Sequence, residues 1–352
     1  MKRDLSWDVV VAGAGVAGLS AAWHLLRQGA SVLLVEAQTR RNATAQCAEF
    51  VSRAVRQMLP LPERFVAQEI QGMRTWIENR EEHVSRAPGL MLHRAAWEAW
   101  LEEQVRELGG TVWRGCRVEG YENGLVFCRK GQLPRRISAR NLIGADGPFS
   151  RLRQWLNEEP VPWCGALQYR MSLDSPSEVL DVFFSRKYPG GYAWLFPKGR
   201  EANVGLAVAS EEVWQLPQLL NGLVAQCVRR GVLVDAAPLA KSGGSIPVGG
   251  LVKVLAAGGV YLVGDAAGCT HPLSGAGIYA AAASGRWAAE AAGGKGEIWY
   301  EAYLRSQWQQ PLQKASGSWK RRREQEGHCD FSQVVRQSWM VFPEYREMKE
   351  VR

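Results

Sequence analysis

The chain has 352 residues, 46% of them hydrophobic, and is long enough to bury a core in two or three domains. Its seven cysteines are dispersed and form no CxxC pair, which argues against a disulfide framework or a structural metal site. The formal net charge of +8 favours anionic partners without identifying one, and no apolar stretch is long enough to suggest a membrane span, so we expect a cytoplasmic protein.

The first predicted elements form a βαβ unit. A strand over residues 8–12 precedes the turn Gly13-x-Gly15-x-x-Gly18, an apolar helix and a second strand that ends at Glu36. Glycines at these spacings let the backbone approach a pyrophosphate, and the helix N-terminus attracts its charge. Glu36 is placed to accept hydrogen bonds from a ribose. The unit predicts dinucleotide binding and leaves NAD and FAD as alternatives.

Strand and helix patterns alternate in the next hundred residues. They predict strands over 69–86, a helix over 94–108, and strands over 111–119 and 125–129 joined by a hairpin turn at Asn123-Gly124. Further on, residues 141–147 form an apolar strand running into a glycine turn, residues 163–210 alternate as an antiparallel sheet does, residues 211–230 are helical, and a strand over 260–263 enters Gly264-Asp265 and an alanine-rich helix. The pattern indicates a nucleotide-binding domain interrupted by a sheet domain.

Two of these turns resemble fingerprints of one flavoprotein family. Residues 144–153 (GADGPFSRLR) and 261–277 are similar to the second and third fingerprints of the flavoproteins that include aromatic hydroxylases and geranylgeranyl reductases. The resemblance implies FAD, with Asp265 on the ribityl chain and the next helix N-terminus near the flavin ring. It implies cofactor contacts at Gly13, Gly15, Ala17, Gly18, Glu36, Ala37, Arg94, Asp146, Gly147, Gly264, Asp265, Pro272, Gly275, Ala276 and Gly277.

A fourth segment points to a subfamily. Residues 189–199 (PGGYAWLFPKG), followed by NVG at 203–205, closely resemble the YxWxFPKG…NVG signature of the geranylgeranyl reductase group. Tyr192, Trp194 and Phe196 alternate along a strand and share one face, which also suits an ordinary aromatic sheet core. The resemblance favours a wall shared between packing and an elongated apolar substrate beside the flavin.

The resemblance suggests four catalytic candidates: Cys47, Tyr192, Trp194 and His271. Cys47 matches a cysteine near the flavin that would assist protonation or gate the site; the alternative is a buried, inert thiol. His271 would act as acid or base, or else hydrogen-bond its own turn. Arg94 matches an arginine that touches FAD, and its alternative is a solvated arginine at a helix start.

The resemblance covers about residues 7–290, and the expected fold class is α/β. We expect a Rossmann-type FAD-binding domain over 1–160 and 245–295, an inserted, mainly antiparallel β-sheet substrate domain over 161–244 joined by strands near 67–90, and a short helical C-terminal tail over 296–352. Residues 275–277 read Gly-Ala-Gly where relatives often have three glycines. The C-terminal region is shorter than in many lipid-reducing relatives, which argues against a full-length prenyl tunnel.

The expected activity is saturation of carbon–carbon double bonds in an isoprenoid or similarly apolar substrate by hydride from reduced FAD. The alternatives are a monooxygenase on the same scaffold and a non-catalytic flavin-binding partner protein. Electrons would come from NAD(P)H or a ferredoxin. The basic run at 320–323 (KRRR) is interpreted as a solvated helix face or a peripheral contact with anionic lipid, and we expect no nucleic acid partner.

Overall fold

Two eight-stranded sheets organise the computed structural model, which describes residues 6–40, 46–327 and 329–347. The expected domain ends at residues 1–5 and 348–352 lie outside the described residues. With strands numbered in chain order, the first sheet comprises β1 (Ser6–Ala12), β2 (Val32–Glu36), β6 (Thr111–Arg114), β7 (Cys116–Glu122), β8 (Leu125–Lys130), β9 (Leu133–Gly144), β15 (Ala256–Ala257) and β16 (Val260–Leu262).

The centre of this first sheet is parallel. Strand β1 pairs in parallel with β2 and β9, and β9 pairs in parallel with β16. Strands β1 and β2 are valine- and leucine-rich runs buried along most of their length, as parallel strands covered by helices require. The helices of this part of the chain are α1 (Val16–Arg27), α2 (Arg94–Glu107), α3 (Arg151–Trp155) and α5 (Ile278–Glu290).

The second sheet has the order β14-β10-β13-β12-β11-β4-β5-β3. Its neighbours pair antiparallel except β11 and β4, which are parallel. The helix α4 (Leu216–Arg229) packs on one face of this sheet. The strands are β3 (Phe50–Val51), β4 (Val66–Ile77), β5 (Arg80–Leu92), β10 (Trp163–Ser172), β11 (Val179–Phe184), β12 (Tyr192–Lys198), β13 (Glu201–Ala209) and β14 (Ala240–Pro247). The predicted α/β fold with a mainly antiparallel second sheet is therefore confirmed.

Two local predictions differ from the structure. The single strand predicted over 111–119 is wrong, because Gly115 adopts a φ of +66° and separates β6 from β7. The helix predicted over 211–230 starts as a 3-10 turn at Ser210–Gln215, and α4 follows with a proline in its first turn. The predicted hairpin turn is confirmed: Asn123 and Gly124 both have positive φ, 49° and 79°, as a type I′ turn requires.

Three helices form the C-terminal part: α6 (Gly296–Gln325), α7 (Phe331–Ser338) and α8 (Pro343–Glu347). At 30 residues, α6 is long for a globular protein and contains Pro311. Within the described ranges, no helix is both long and apolar enough to cross a bilayer. Buried aromatic and aliphatic residues of α7 join the core beside β11 and β12, so this part of the chain is integrated into the second sheet.

Gly190, at the start of the 189–199 segment, is clamped by α6. Its carbonyl accepts hydrogen bonds from Trp319 Nε1 (2.7 Å) and Arg322 Nη2 (2.9 Å), and its N–H donates to Glu326 Oε2 (2.9 Å). The Arg322 side chain is only 1% exposed and pairs with Glu326 at 3.3 Å. The interpretation of residues 320–323 as a solvated or lipid-facing run is therefore wrong for Arg322, which is a buried structural group.

Candidate active site

The β1–α1 turn is tightly packed on one side and open on the other. Gly13 has a φ of +109°, and a Cβ there would lie 2.2 Å from the Ala145 carbonyl oxygen. A Cβ on Gly18 would lie 1.8 Å from the Gly13 oxygen, so the turn tolerates no side chain at either glycine. Gly15 faces clear space at the start of α1. This geometry gives a phosphate direct access to the helix N-terminus.

Glu36 lies at the end of β2, beside this turn. Its Oε2 accepts a hydrogen bond from Ala14 N at 2.8 Å, and its Oε1 accepts one from Gln38 N at 2.7 Å. Each oxygen keeps a lone pair for a further donor, so the oriented carboxylate is suited to a ribose diol. Ala37 is exposed next to it, and Ala17 lines the cavity described below.

The second fingerprint places Asp146 behind the glycine turn. Its Oδ2 accepts hydrogen bonds from Arg151 N (2.8 Å) and Leu152 N (3.4 Å), and so caps the start of α3. Among the described residues, no group donates a hydrogen bond to its buried Oδ1. Burial raises the pKa of Asp146, and the hydrogen bonds oppose that rise. Gly147 lies in the cavity lining.

The third fingerprint places Asp265 at the cavity. Its Oδ1 accepts a hydrogen bond from Thr270 Oγ1 at 2.5 Å. Burial raises the pKa of Asp265, against the opposing effects of the Thr270 hydrogen bond and the Arg94 charge. Gly264, with a φ of +58°, turns the chain so that Asp265 faces the cavity. The carboxylate is suited to accept hydrogen bonds from a polyol chain.

Arg94 starts α2 and lines the cavity rather than pointing to solvent. Its guanidinium pairs with Glu98 at 2.8 Å, and its side chain is 23% exposed. Burial lowers the pKa of Arg94, but Glu98 and the Cys47 thiol outweigh it and leave the pKa above its ordinary value. The alternative of a solvated arginine does not describe this environment, and a fixed cation stands beside Cys47.

The glycine loop, residues 271–277, is the end of the third fingerprint and leads directly into α5. Residues 274–277 line the cavity, whereas His271 and Pro272 are not among its lining residues. The His271 Nδ1 lies 3.2 Å from the Ser274 hydroxyl, and burial lowers the pKa of His271 to about 4. The imidazole is therefore neutral at pH 7. The structure shows it bonded within its own loop, and its catalytic role stays a prediction.

An aromatic wall is formed by Tyr192, Trp194 and Phe196 on β12. All three line the cavity, and successive ring centroids lie 5.9 and 6.4 Å apart. The Tyr192 hydroxyl donates to the Ser274 carbonyl at 2.6 Å, which ties the glycine loop to the sheet, and burial raises the pKa of Tyr192. Trp194 Nε1 donates to Gln168 Oε1 at 3.0 Å. The aromatic wall therefore lines the cavity and also connects the glycine loop to the second sheet.

The cysteine loop, residues 46–49, is held against the second sheet by hydrogen bonds from side chains of the sheet. Gln168 Nε2 on β10 donates to the Cys47 carbonyl at 3.1 Å, and Asn203 Nδ2 on β13 donates to the Ala48 carbonyl at 3.0 Å. The Cys47 Sγ accepts a hydrogen bond from Glu49 N at 3.2 Å and lies at the cavity. Residues distant in sequence therefore fix the thiol.

Glu49 anchors the end of this loop through a buried carboxylate. Its Oε2 pairs with Lys198 Nζ at 2.5 Å and accepts a hydrogen bond from Asn203 Nδ2 at 3.0 Å, and its Oε1 accepts one from Arg94 N at 2.9 Å. The Lys198 and Glu49 side chains are 7% and 9% exposed. Glu49 has a φ of +68°, a strained value that these contacts maintain.

One cavity of about 500 Å³ connects these groups. It extends from the β1–α1 turn across the aromatic wall to the C-terminal part, where Trp339 and Met340 line it. The sequence did not single out Gln168, Trp339 or Met340. Lys198 and Asn203 lie within the signature at 189–205, and a lysine there together with Glu49 of the cysteine loop is the sequence signal for an ion pair.

Comparisons with known proteins identify the family to which the chain belongs. The model of FAD dependent oxidoreductases matches residues 8–104, and the geranylgeranyl reductase catalytic domain matches residues 163–234. A digeranylgeranylglycerophospholipid reductase of Methanopyrus kandleri is 32% identical over 306 residues, covering 82% of this chain and 77% of the relative. Its counterpart in Methanocella arvoryzae is 32% identical over 303 residues, covering 80% and 76%.

Solved structures share the fold. A geranylgeranyl bacteriochlorophyll reductase-like protein of Thermoplasma acidophilum superposes with a TM-score of 0.81 at 23% identity, covering 96% of this chain and 93% of that one. The Pseudomonas aeruginosa protein PqsL, described as a probable FAD-dependent monooxygenase, reaches 0.71 at 20% identity, covering 94% and 99%. The fold alone therefore accommodates both chemistries.

Fold and site together define an FAD-dependent oxidoreductase. The described residues fit the cofactor: the open space at Gly15 suits its pyrophosphate, Glu36 its ribose, and Asp265 its ribityl chain. Within this class, the identity to the archaeal enzymes places the chain in the geranylgeranyl reductase family.

Proposed function

We propose that this protein saturates carbon–carbon double bonds of an isoprenoid chain carried by a lipid or lipid precursor. The observation that supports the proposal is the continuous cavity that joins the dinucleotide turn to the aromatic wall. When bound and reduced, FAD supplies the hydride. Curated relatives named as digeranylgeranylglycerophospholipid reductases support the substrate class.

The sheet side of the cavity suits a hydrocarbon. Met73, Leu180 and Val182 line it together with the aromatic wall, and offer no hydrogen-bonding group that an alkene would leave unpaired. Trp194 is held in place by Gln168, so its indole forms a rigid surface against which an isoprene unit can lie. We assign Tyr192 and Trp194 to positioning the substrate and excluding water.

Cys47 is our proposed proton donor. Saturation adds a hydride to one alkene carbon and a proton to the other, and the Cys47 thiol is a cavity-lining group with a transferable proton. After transfer, the thiolate at Sγ is stabilised by the Glu49 N–H and by the adjacent Arg94 cation, until solvent returns the proton. His271 is assigned to holding the glycine loop.

The electron donor and any membrane contact are further parts of the proposal. NAD(P)H or a ferredoxin would supply the electrons, and a net charge of +8 suits the acidic surface of a ferredoxin. Contact with a membrane surface follows from the lipid substrate class. Stopped-flow reduction with each donor and co-sedimentation with anionic vesicles test the two points separately.

The decisive experiment is anaerobic. The FAD-loaded protein is reduced with dithionite and mixed with geranylgeranyl lipids, and products are analysed by mass spectrometry. Products heavier by pairs of hydrogens, formed as the flavin reoxidises, are expected. A product that gains oxygen only after air is admitted would instead establish a monooxygenase, and no turnover in either condition would indicate a non-catalytic flavoprotein.

The role of Cys47 is tested with Cys47→Ser and Cys47→Ala. Turnover is expected to fall roughly 100-fold, as for loss of a positioned proton donor, while FAD affinity is unchanged. Cys227→Ala is the matched control, because Cys227 is a buried thiol of α4 that does not line the cavity. Full activity in Cys47→Ala would rule out the assignment.

A further inference from the structure

The cavity runs across the strands of the second sheet. At one edge of the sheet it is lined by residues 242–247 of β14, where Ser-Gly-Gly-Ser offers backbone and hydroxyl groups and the apolar Ile246 and Pro247 follow. Further across it is lined by Leu180 and Val182 of β11 and by Met73 of β4, all apolar. In the order β14-β10-β13-β12-β11-β4, the five strand spacings cover about 24 Å.

The C-terminal cap, residues 331–342, closes the apolar side. Trp339 and Met340 are its contributions to the cavity lining. The Trp339 ring centroid lies 5.1 Å from that of Phe184 and 5.5 Å from that of Tyr192, so the indole extends the aromatic wall beyond β12. The Trp339 side chain is nearly buried, at 2% exposure.

The cap is firmly packed. Trp339 N donates to the Val335 carbonyl at 2.8 Å, and Phe342 N donates to the Trp339 carbonyl at 3.1 Å. Arg336 of α7, the helix that precedes Trp339, pairs with Glu82 of β5 at 2.5 Å. Val335 and Phe342 belong to the same buried cluster as the aromatic wall. Displacing the Trp339 indole would therefore disrupt the core of the second sheet.

We infer that Trp339, backed by Met340, is the specificity-determining end wall that sets the length of isoprenoid chain the protein accepts. This inference rests on the proposed function and deepens it. The hydrocarbon terminus stops against Trp339, and the polar end of the substrate lies toward the β14 edge. The side chains of β11 give this direction, because Leu180 and Val182 carry no polar group that a hydrocarbon end would leave unpaired, although Trp339 Nε1 has no partner among the described residues.

The test measures binding rather than turnover. FAD-loaded wild type, Trp339→Ala, Trp339→Phe and Met340→Ala are titrated with geraniol, farnesol and geranylgeraniol, followed by the change in flavin absorbance. Trp339→Ala is expected to raise the affinity for geranylgeraniol relative to farnesol roughly tenfold, since it opens space for additional methylene groups. Trp339→Phe and Met340→Ala are expected to shift the ratio less, in the same direction.

Phe342→Leu is the matched control, because Phe342 lies in the same cluster but does not line the cavity. Its affinity ratio is expected to equal that of the wild type. An unchanged ratio in both Trp339→Ala and Met340→Ala, with FAD still bound, would overturn the inference alone. If Trp339→Ala does not fold, the affinity ratio of Met340→Ala alone decides whether the inference stands. If no prenyl alcohol perturbs the wild-type flavin and none is reduced, the proposed function fails as well.

Discussion

The two sides of the cavity are built in different ways. On the dinucleotide side, the β1–α1 turn is shaped by backbone, and glycines occupy the positions where a Cβ would collide with a carbonyl. On the substrate side, the cysteine loop is held by side chains of β10, β12 and β13. The first depends on local spacing within a short segment, and the second depends on pairs brought together by the tertiary fold.

The difference has a consequence for mutation. A change on the dinucleotide side should affect FAD binding first, because the turn meets the cofactor through its backbone. A change on the substrate side should affect stability and substrate handling first, because the Glu49 carboxylate joins β12, β13 and the start of α2. Four predictions separate the two, beginning with the largest expected effect.

Lys198→Met should break the substrate side. It leaves the buried Glu49 carboxylate without its cation, and we expect the free energy of unfolding to fall by about 4 kcal/mol, measured by urea denaturation. The double variant Lys198→Met/Glu49→Gln removes the charge and should recover part of the loss. Arg53→Met is the control, since its pair with Glu69 is exposed and should contribute under about 1 kcal/mol. Equal losses of unfolding free energy in Lys198→Met and Arg53→Met would contradict the buried-pair argument.

Gly18→Ala should break the dinucleotide side. The added Cβ would lie 1.8 Å from the Gly13 oxygen, and the turn must deform to relieve the collision. FAD affinity, measured by fluorescence titration, should fall roughly 100-fold, equivalent to about 3 kcal/mol. Gly222→Ala in α4 meets no atom within 4 Å and should leave the affinity unchanged. Normal FAD binding by Gly18→Ala would show that the turn is looser than described.

His271→Asn tests the glycine loop, which lies between the two sides. The pKa of His271 is about 4 in the folded protein and near 6.5 in an unfolded chain. The unfolded state therefore binds the proton first as the pH falls, and the stability from the neutral imidazole is lost between about pH 6.5 and pH 4. Wild type should lose about 3 kcal/mol more than His271→Asn over this window, in urea denaturation at each pH. Parallel pH profiles would refute the lowered pKa.

Tyr192→Phe removes the hydrogen bond that connects the two sides, from the Tyr192 hydroxyl to the Ser274 carbonyl. The ring stays in the aromatic wall, so only the hydrogen bond to Ser274 is lost. We expect a loss of about 1 kcal/mol in unfolding free energy and a less than tenfold weakening of FAD binding. Tyr303→Phe, on the exposed surface of α6, should change neither quantity. An effect on neither quantity in Tyr192→Phe would show that the tie is dispensable.

The same contrast explains what the sequence could predict. The βαβ unit, the glycine turn and the alternation of Tyr192, Trp194 and Phe196 follow from local periodicity, and the structure has them. The bond from Gln168 to Cys47 joins residues 121 positions apart, and that from Lys198 to Glu49 joins residues 149 apart. No local propensity determines such pairs, because they depend on which strands become neighbours.

The C-terminal part shows the same limit. Residues 320–323 have the composition of a solvated run, but the helix phase turns Arg322 inward to Gly190 and Glu326. Trp339 follows a short helix in a segment without a motif, and only packing onto Phe184 and Tyr192 brings it to the cavity. Composition describes a segment, whereas burial depends on the surface that the segment meets.

The clamp on Gly190 also bears on when the site becomes complete. The turn before β12 accepts hydrogen bonds from Trp319 and Arg322 and donates one to Glu326, and all three residues come more than a hundred positions later in the chain. During synthesis, the signature strand can form before its partner helix exists, but the turn cannot reach its final arrangement until residues 319–326 have emerged and folded back. Acquisition of the substrate cavity is thereby delayed until both halves of the chain have met.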